Sequence, residues 1–244
     1  MVPSNPCSLQ IDLGHPGKVT AVIDAPARLD ARTPALLLAH GANNDLAHPL
    51  LAEVATHLAA SNTALTLRFN FPYAERRANS LDSLPVLLDA FRRAHDYLVD
   101  EVAAPGAPIF LGGKSLGGRV AAELVSRHHE GEGLVARGLI ILGYPLHAPG
   151  RKDQPHVEPL RRIDVPSLFC IGTHDPFCDL ELLRPVVARL PYPGEISVVE
   201  GGDHSLRIAR GQTASNGKKL DPEDGYRLTA LAVTEFIRKV VRAG

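Results

Sequence analysis

The sequence predicts an α/β fold: a doubly wound, mostly parallel sheet with helices on both faces. Three observations carry that expectation. Short apolar runs recur at Ala35–Ala39, Ala64–Phe69, Pro108–Leu111, Leu139–Leu142, Ser167–Ile171 and Ile196–Val199. They lack polar alternation, as parallel strands covered on both faces do. Longer segments separate them, at Leu46–Ala60, Ser83–Val102, Gly117–His128, Leu180–Leu190 and Tyr226–Val241, and alternating strands and helices imply right-handed crossovers onto one sheet. Finally, 244 residues with 45% hydrophobic and 22% charged content are globular composition, which excludes disorder, collagen-like repeats and coiled coils.

Taken in order, the chain opens with two β-leaning stretches, Ser8–Leu13 and Lys18–Ile23, around Gly14-His15-Pro16-Gly17. Pro and Gly favour a turn there, so an antiparallel hairpin is expected. Of the helical segments, Ser83–Val102 shows the pattern most plainly: Val86, Leu87, Phe91, Ala94 and Leu98 recur at spacings of three and four, with Arg92, Arg93 and Asp96 on other faces. Pro145–Ile163 and Arg207–Asp224 are polar and rich in turn residues; both read as surface loops, and loops of that length commonly border a ligand site. No composition break or fixed-period repeat divides the chain, so residues 1–244 are expected to form one domain.

Charge and cysteine content narrow the partners. Lys and Arg total 26 against 27 Asp and Glu, a net charge of −1, which supplies no broad basic field for nucleic acid or an anionic membrane. Cys7, Cys170 and Cys178 are too few for a disulfide framework or a thiolate zinc site. No apolar run reaches the roughly 20 residues of a membrane span, and Met1-Val2-Pro3-Ser4-Asn5-Pro6 has no basic or apolar leader character. The expectation is a cytoplasmic protein acting on a small molecule, without nucleic acid, membrane, metal or cofactor, and compatible with a homodimer.

The chemistry centres on Gly113-Lys114-Ser115-Leu116-Gly117, directly after the apolar Ile109-Phe110-Leu111 and directly before a helical segment. This is the nucleophile elbow in its required context: small residues flank a serine on a turn too tight for bulky neighbours. Ser115 Oγ then stands at the carboxyl end of the sheet with the helix N-terminus behind it. A phosphate-binding loop is excluded, because the glycine it needs five residues before Gly113 is Pro108. A dinucleotide fingerprint fails as well, since the positions two beyond Gly112 and Gly113 are Lys114 and Ser115.

A serine nucleophile needs a base, and the base an orienting acid, in the chain order serine, acid, histidine. Asp175 follows the run Ser167–Ile171, and His204 follows the last run in a Gly-rich segment. His174 and Asp203 flank them by one position and fit the order less well. For the oxyanion hole, the Leu116 amide and a donor from His40-Gly41-Ala42-Asn43-Asn44 are expected, Ala42 first and Asn43 second; His40 shapes the loop. Asn43, Tyr144 and His147 are candidates for substrate contact. His128-His129-Glu130 offers no third metal ligand, Cys170 reads as core, and Cys178 reads as structural though close to Asp175.

With those residues placed, the chain resembles the α/β-hydrolase superfamily over nearly its whole length. More narrowly, His40-Gly41-Ala42, Arg68-Phe69-Asn70-Phe71-Pro72-Tyr73, Gly113-Lys114-Ser115-Leu116-Gly117-Gly118-Arg119 and Gly143-Tyr144-Pro145-Leu146-His147 resemble a small capless group described as dienelactone-hydrolase-like. The resemblance implies an α/β-hydrolase fold with no large cap domain and a serine hydrolase: Ser115 nucleophile, His204 base, Asp175 orienter, and Ala42 and Leu116 amides at the oxyanion. It departs from dienelactone hydrolases proper, which use a cysteine where this chain has Ser115. The expected activity is hydrolysis of a small ester with a short acyl chain. The alternative is a non-catalytic interaction protein, because the group includes the hydrolase-like part of a subunit of a histone-acetylating complex.

Overall fold

The computed structural model describes residues 6–14, 17–192, 194–213, 217 and 219–243. Its centre is an eight-stranded sheet: β1 (Cys7–Asp12), β2 (Lys18–Asp24), β3 (Ala35–Ala39), β4 (Leu65–Phe69), β5 (Ile109–Lys114), β6 (Gly138–Leu142), β7 (Ser167–Gly172) and β8 (Gly194–Val199). The spatial order is β1-β2-β4-β3-β5-β6-β7-β8. β2 runs antiparallel to both β1 and β4, and every other pairing is parallel. β1 and β2 form the expected antiparallel pair; His15 and Pro16 of its turn lie outside the described residues.

Among the described residues six α-helices flank the sheet: α1 (Pro49–Ala60), α2 (Pro72–Glu75), α3 (Leu84–Tyr97), α4 (Leu116–Ser126), α5 (Leu180–Val187) and α6 (Asp224–Arg242). Two apolar clusters follow from the alternation of side chains along each strand. Leu37, Leu67, Phe69, Leu111 and Ile141 pack against α3, α4 and α5 on one face, while Leu36, Leu38, Phe110, Ile140 and Cys170 pack against α1 and α6 on the other. β3 and β6 are therefore apolar throughout because both of their faces are covered.

Where element boundaries move, the cause is local. α1 starts at Pro49 rather than Leu46, with Pro at the first turn and the His48 side chain accepting from the Leu50 amide. The Ser83–Val102 segment is α3 up to Tyr97 and then a π-helical turn, Leu98–Val102. β8 is an edge strand with Val198 exposed rather than a strand buried on both faces. Between β6 and β7, residues 143–166 carry only a 3₁₀ turn, Leu160–Arg162, and no cap domain. No described helix is long and apolar enough to cross a membrane.

Candidate active site

Ser115 lies between the last residue of β5 and the first of α4. Its backbone is at φ 50° and ψ −111°, a conformation that costs a non-glycine residue about 1–3 kcal/mol and persists only where the surroundings enforce it. Here they do. Ser115 N donates to Leu142 O at 3.0 Å, and Ser115 O accepts from Arg119 N at 3.0 Å. The turn closes so tightly that a Cβ on Gly113 would lie 2.4 Å from Gly117 C, and one on Gly117 would lie 2.5 Å from Ala39 O.

His204 and Asp175 come to Ser115 from the loops after β8 and β7, at the same carboxyl edge of the sheet. His204 Nε2 is 2.8 Å from Ser115 Oγ. On the other side of the ring, Nδ1 is 2.9 and 2.8 Å from the two Asp175 carboxylate oxygens. Asp175 is buried, and its Oδ1 also accepts from the Phe177 amide at 2.8 Å. The Phe177 ring lies 4.5 Å from the imidazole, centroid to centroid. Gly143, at φ 68°, leaves the space that the histidine loop occupies: a Cβ there would stand 2.5 Å from His204 O. Asp203 is used differently, its Oδ1 accepting from the Ser205 and Arg207 amides to shape the turn, and His174 is exposed.

The opposite wall is the segment from His40 to His48. Among the described residues the Ala42 and Leu116 amides have no acceptor, and Gly41 packs directly on Ser115, whose Cβ is 3.3 Å from where a Gly41 Cβ would be. His40 is fully buried, its Nδ1 2.9 Å from Gly41 O, while Nε2 accepts from the Phe71 amide at 2.9 Å. Those partners fit a neutral ring protonated on Nδ1, and burial pushes this histidine down to about 4. Tyr73 also donates to Gly41 O, at 2.9 Å.

Farther along the loop, Leu46 is held at both backbone atoms. Arg68 Nη1 donates to its carbonyl at 2.7 Å, and its amide donates to Asn70 Oδ1 at 2.9 Å. Arg68 also donates twice to Asp24 Oδ2, at 3.0 and 2.8 Å, in a buried ion pair. Asn70 Nδ2 in turn donates to Glu75, which accepts from Thr20. The Arg68–Tyr73 segment, which the sequence offers only as a point of resemblance, is thus the clamp on the His40–His48 loop.

Comparison with known proteins agrees with this frame. A family model described as an alpha/beta hydrolase domain matches residues 32–224, more than half of the chain. The protein belongs to the alpha/beta hydrolase family. Among solved structures, Est1E from Butyrivibrio proteoclasticus with ferulic acid bound has a TM-score of 0.72 at 15% identity, covering 96% of this chain and 99% of that one. A dienelactone hydrolase from Anabaena variabilis has a TM-score of 0.70 at 16% identity, over 96% and 97%. An a/b serine hydrolase without lid from Xanthomonas campestris has 0.64 at 16% identity, over 100% and 96%. At these identities the likeness is one of fold.

In this alpha/beta hydrolase the three expected substrate contacts separate. Asn43 is exposed on the loop beside Gly41, at φ 55°. Tyr144 is buried and donates to His156 O at 3.0 Å. His147 is also buried, with Nδ1 2.9 Å from Ala148 O and Nε2 accepting from the Asp179 amide at 3.2 Å. Tyr144 and His147 therefore hold the loop after β6, with their polar atoms engaged by backbone. The Cys170 and Cys178 thiols are buried and pushed up to about 12, burial being the main cause, so neither supplies a thiolate nucleophile. Among the described residues no group of three His, Cys, Asp or Glu side chains is placed to hold a metal ion.

Proposed function

We propose that this alpha/beta hydrolase is a serine hydrolase of small carboxylic esters. The observation that carries the reading is the continuous chain from Asp175 through His204 to Ser115 Oγ, with every link between 2.8 and 2.9 Å. In the reaction, Ser115 Oγ attacks the ester carbonyl carbon as its proton passes to His204 Nε2, and the carbonyl π pair moves onto oxygen. The Ala42 and Leu116 amides receive that oxyanion. Collapse restores the carbonyl and breaks the bond to the alkoxide, which leaves as the alcohol with the His204 proton. Water then repeats the cycle: His204 takes its proton, the acyl–Ser115 bond breaks, and the carboxylic acid and free serine are released. Asp175 holds the imidazole in one tautomer and stabilises its charged form. With no cap over the sheet edge, a short acyl group suits the site.

Two measurements test the assignment. A fluorophosphonate probe should label the wild type and leave Ser115→Ala unlabelled, and Ser115→Ala should lose about 10³-fold or more of p-nitrophenyl acetate turnover while remaining folded. A folded wild type that neither takes the probe nor turns over esters would mark a non-catalytic protein. Asp175→Asn should lower kcat by up to about 10⁴, the scale seen when an orienting acid becomes an amide, whereas Asp203→Asn should cost far less. The reverse order of losses would move the orienting role to Asp203.

A further inference from the structure

The residue before the nucleophile has no part in the steps above. Lys114 ends β5 and is 5% exposed, whereas lysine is almost never buried to that extent without a partner. Among the described residues its Nζ makes no hydrogen bond and no ion pair. The alternation along β5 explains its direction. Phe110 belongs to the cluster under α1 and α6, and Leu111 to the opposite cluster. Lys114, four residues beyond Phe110, therefore leaves the sheet on the α1 and α6 side. Its Nζ stops beneath the oxyanion-side loop, 3.5 Å from the position of a Gly41 Cβ, with Ser115 Cβ 3.3 Å from the same point.

The groups that act with this ammonium are Asp175 after β7, Asp203 beside His204 after β8, His40 just after β3 and His48 ahead of α1, with Asp45 acting on the two histidines. Burial pushes Lys114 down, and the Asp203 and Asp175 carboxylates pull it back up. Both neighbouring histidines are pushed down to about 4 by burial, with Lys114 adding to the effect. At neutral pH they are uncharged, so Lys114 is the cation of this cluster. A buried ammonium that is not directly paired acts over a few ångströms, and the Gly41 backbone lies within that range.

We propose that Lys114 is a positioning residue for the oxyanion: its ammonium, beside Gly41 and Ser115, adds positive potential where the tetrahedral oxygen forms. The inference rests on Ser115 acting as the nucleophile. Because the ester is neutral and the tetrahedral species anionic, a fixed cation acts on kcat far more than on KM.

The test compares Lys114→Met, which keeps the length and removes the charge, with Lys114→Arg, which keeps the charge. Folding is checked by circular dichroism. On p-nitrophenyl acetate, Lys114→Met should lower kcat by about 10–50-fold with KM within about twofold, less than the loss of a direct oxyanion donor. Phenylboronic acid, whose adduct on Ser115 is a tetrahedral anion, should lose affinity by a similar factor. Lys114→Arg should recover part of both. If Lys114→Met folds poorly, Lys114→Gln takes its place in the same measurements. A folded, uncharged variant with wild-type kcat and boronate affinity overturns the proposal, as does a loss confined to KM. A wild type that neither takes the fluorophosphonate probe nor turns over the ester overturns both this inference and the nucleophile assignment. Probe labelling with an unchanged Lys114→Met overturns this inference alone.

Discussion

The two walls of the site are built by opposite means. On the nucleophile wall, β5 meets α4 through backbone against backbone, and Ser115 is held in its strained conformation because Gly113, Gly117 and Ala39 leave no other room. On the oxyanion wall, the segment from His40 to His48 is held by side chains. Arg68 and Asn70 hold Leu46, and His40 and Tyr73 hold Gly41. The steric exclusion is set mainly by Gly113 and Gly117 themselves with the Ala39 backbone behind them, whereas the polar clamp draws on side chains from Asp24 to Glu75. A packed glycine turn responds to volume. The polar clamp responds to charge, protonation and hydrogen-bond count, and three perturbations of decreasing size separate the two.

Removing a charge from the clamp should have the largest effect. Arg68→Met leaves Asp24 buried without its guanidinium and releases Leu46 O, and breaking such a pair from one side costs about 3–5 kcal/mol. The loss should appear as a lower urea midpoint with an unchanged slope. If the walls are independent, the folded fraction should still be labelled at Ser115 while ester turnover falls. A variant with wild-type stability would show that the ion pair only offsets its own desolvation.

That dependence on distance also decides how much was legible in the sequence. The elbow could be read because Gly113 to Gly117 lie side by side in the chain and sterics alone dictate them. Asp175 and His204 could be located because a strand end delivers a side chain to a known edge. The function of Arg68 could not, since its partners Asp24 and Leu46 are 44 and 22 residues away. For the same reason Tyr144 and His147 look like substrate ligands in the sequence, although their polar atoms are engaged by the backbone of His156, Ala148 and Asp179. An apolar run such as Ile196–Val199 also cannot tell an edge strand from a central one, because the difference is whether a ninth strand follows. The need for glycine at position 143 comes from the loop carrying His204, which passes over it from about 60 residues away in the chain.

Protonation is the second way to separate the walls. His40 is held neutral, pushed down to about 4 from the ordinary 6.5, with burial the main cause. Between those values the unfolded chain binds a proton that the folded protein excludes, so the contribution is complete above about pH 6.5 and is lost as pH falls toward about 4. At 1.36 kcal/mol per unit of separation this amounts to about 3 kcal/mol. Urea midpoints at pH 7.5 and 4.5 should therefore differ more for the wild type than for His40→Asn, which lacks the titrating ring. Equal pH dependence in the two proteins would remove His40 as the source of acid sensitivity.

The smallest perturbation isolates a single hydrogen bond of the clamp. Tyr73 OH donates to Gly41 O, which also receives His40 Nδ1–H, so Tyr73→Phe leaves that carbonyl with one donor rather than none. The stability cost should stay near the net value of one hydrogen bond, about 1 kcal/mol. Catalysis should feel it more, because the Gly41 carbonyl and the Ala42 amide belong to one rigid peptide plane. Turning the carbonyl turns the amide away from the oxyanion, and small misplacements at a reacting centre are costly. The expected result is a fall in kcat of about 3–10-fold at constant KM, with Ser115 still labelled, since the nucleophile wall is untouched. Wild-type kcat together with the stability loss would mean that His40 alone fixes the peptide plane, leaving the Tyr73 hydroxyl a purely structural contact.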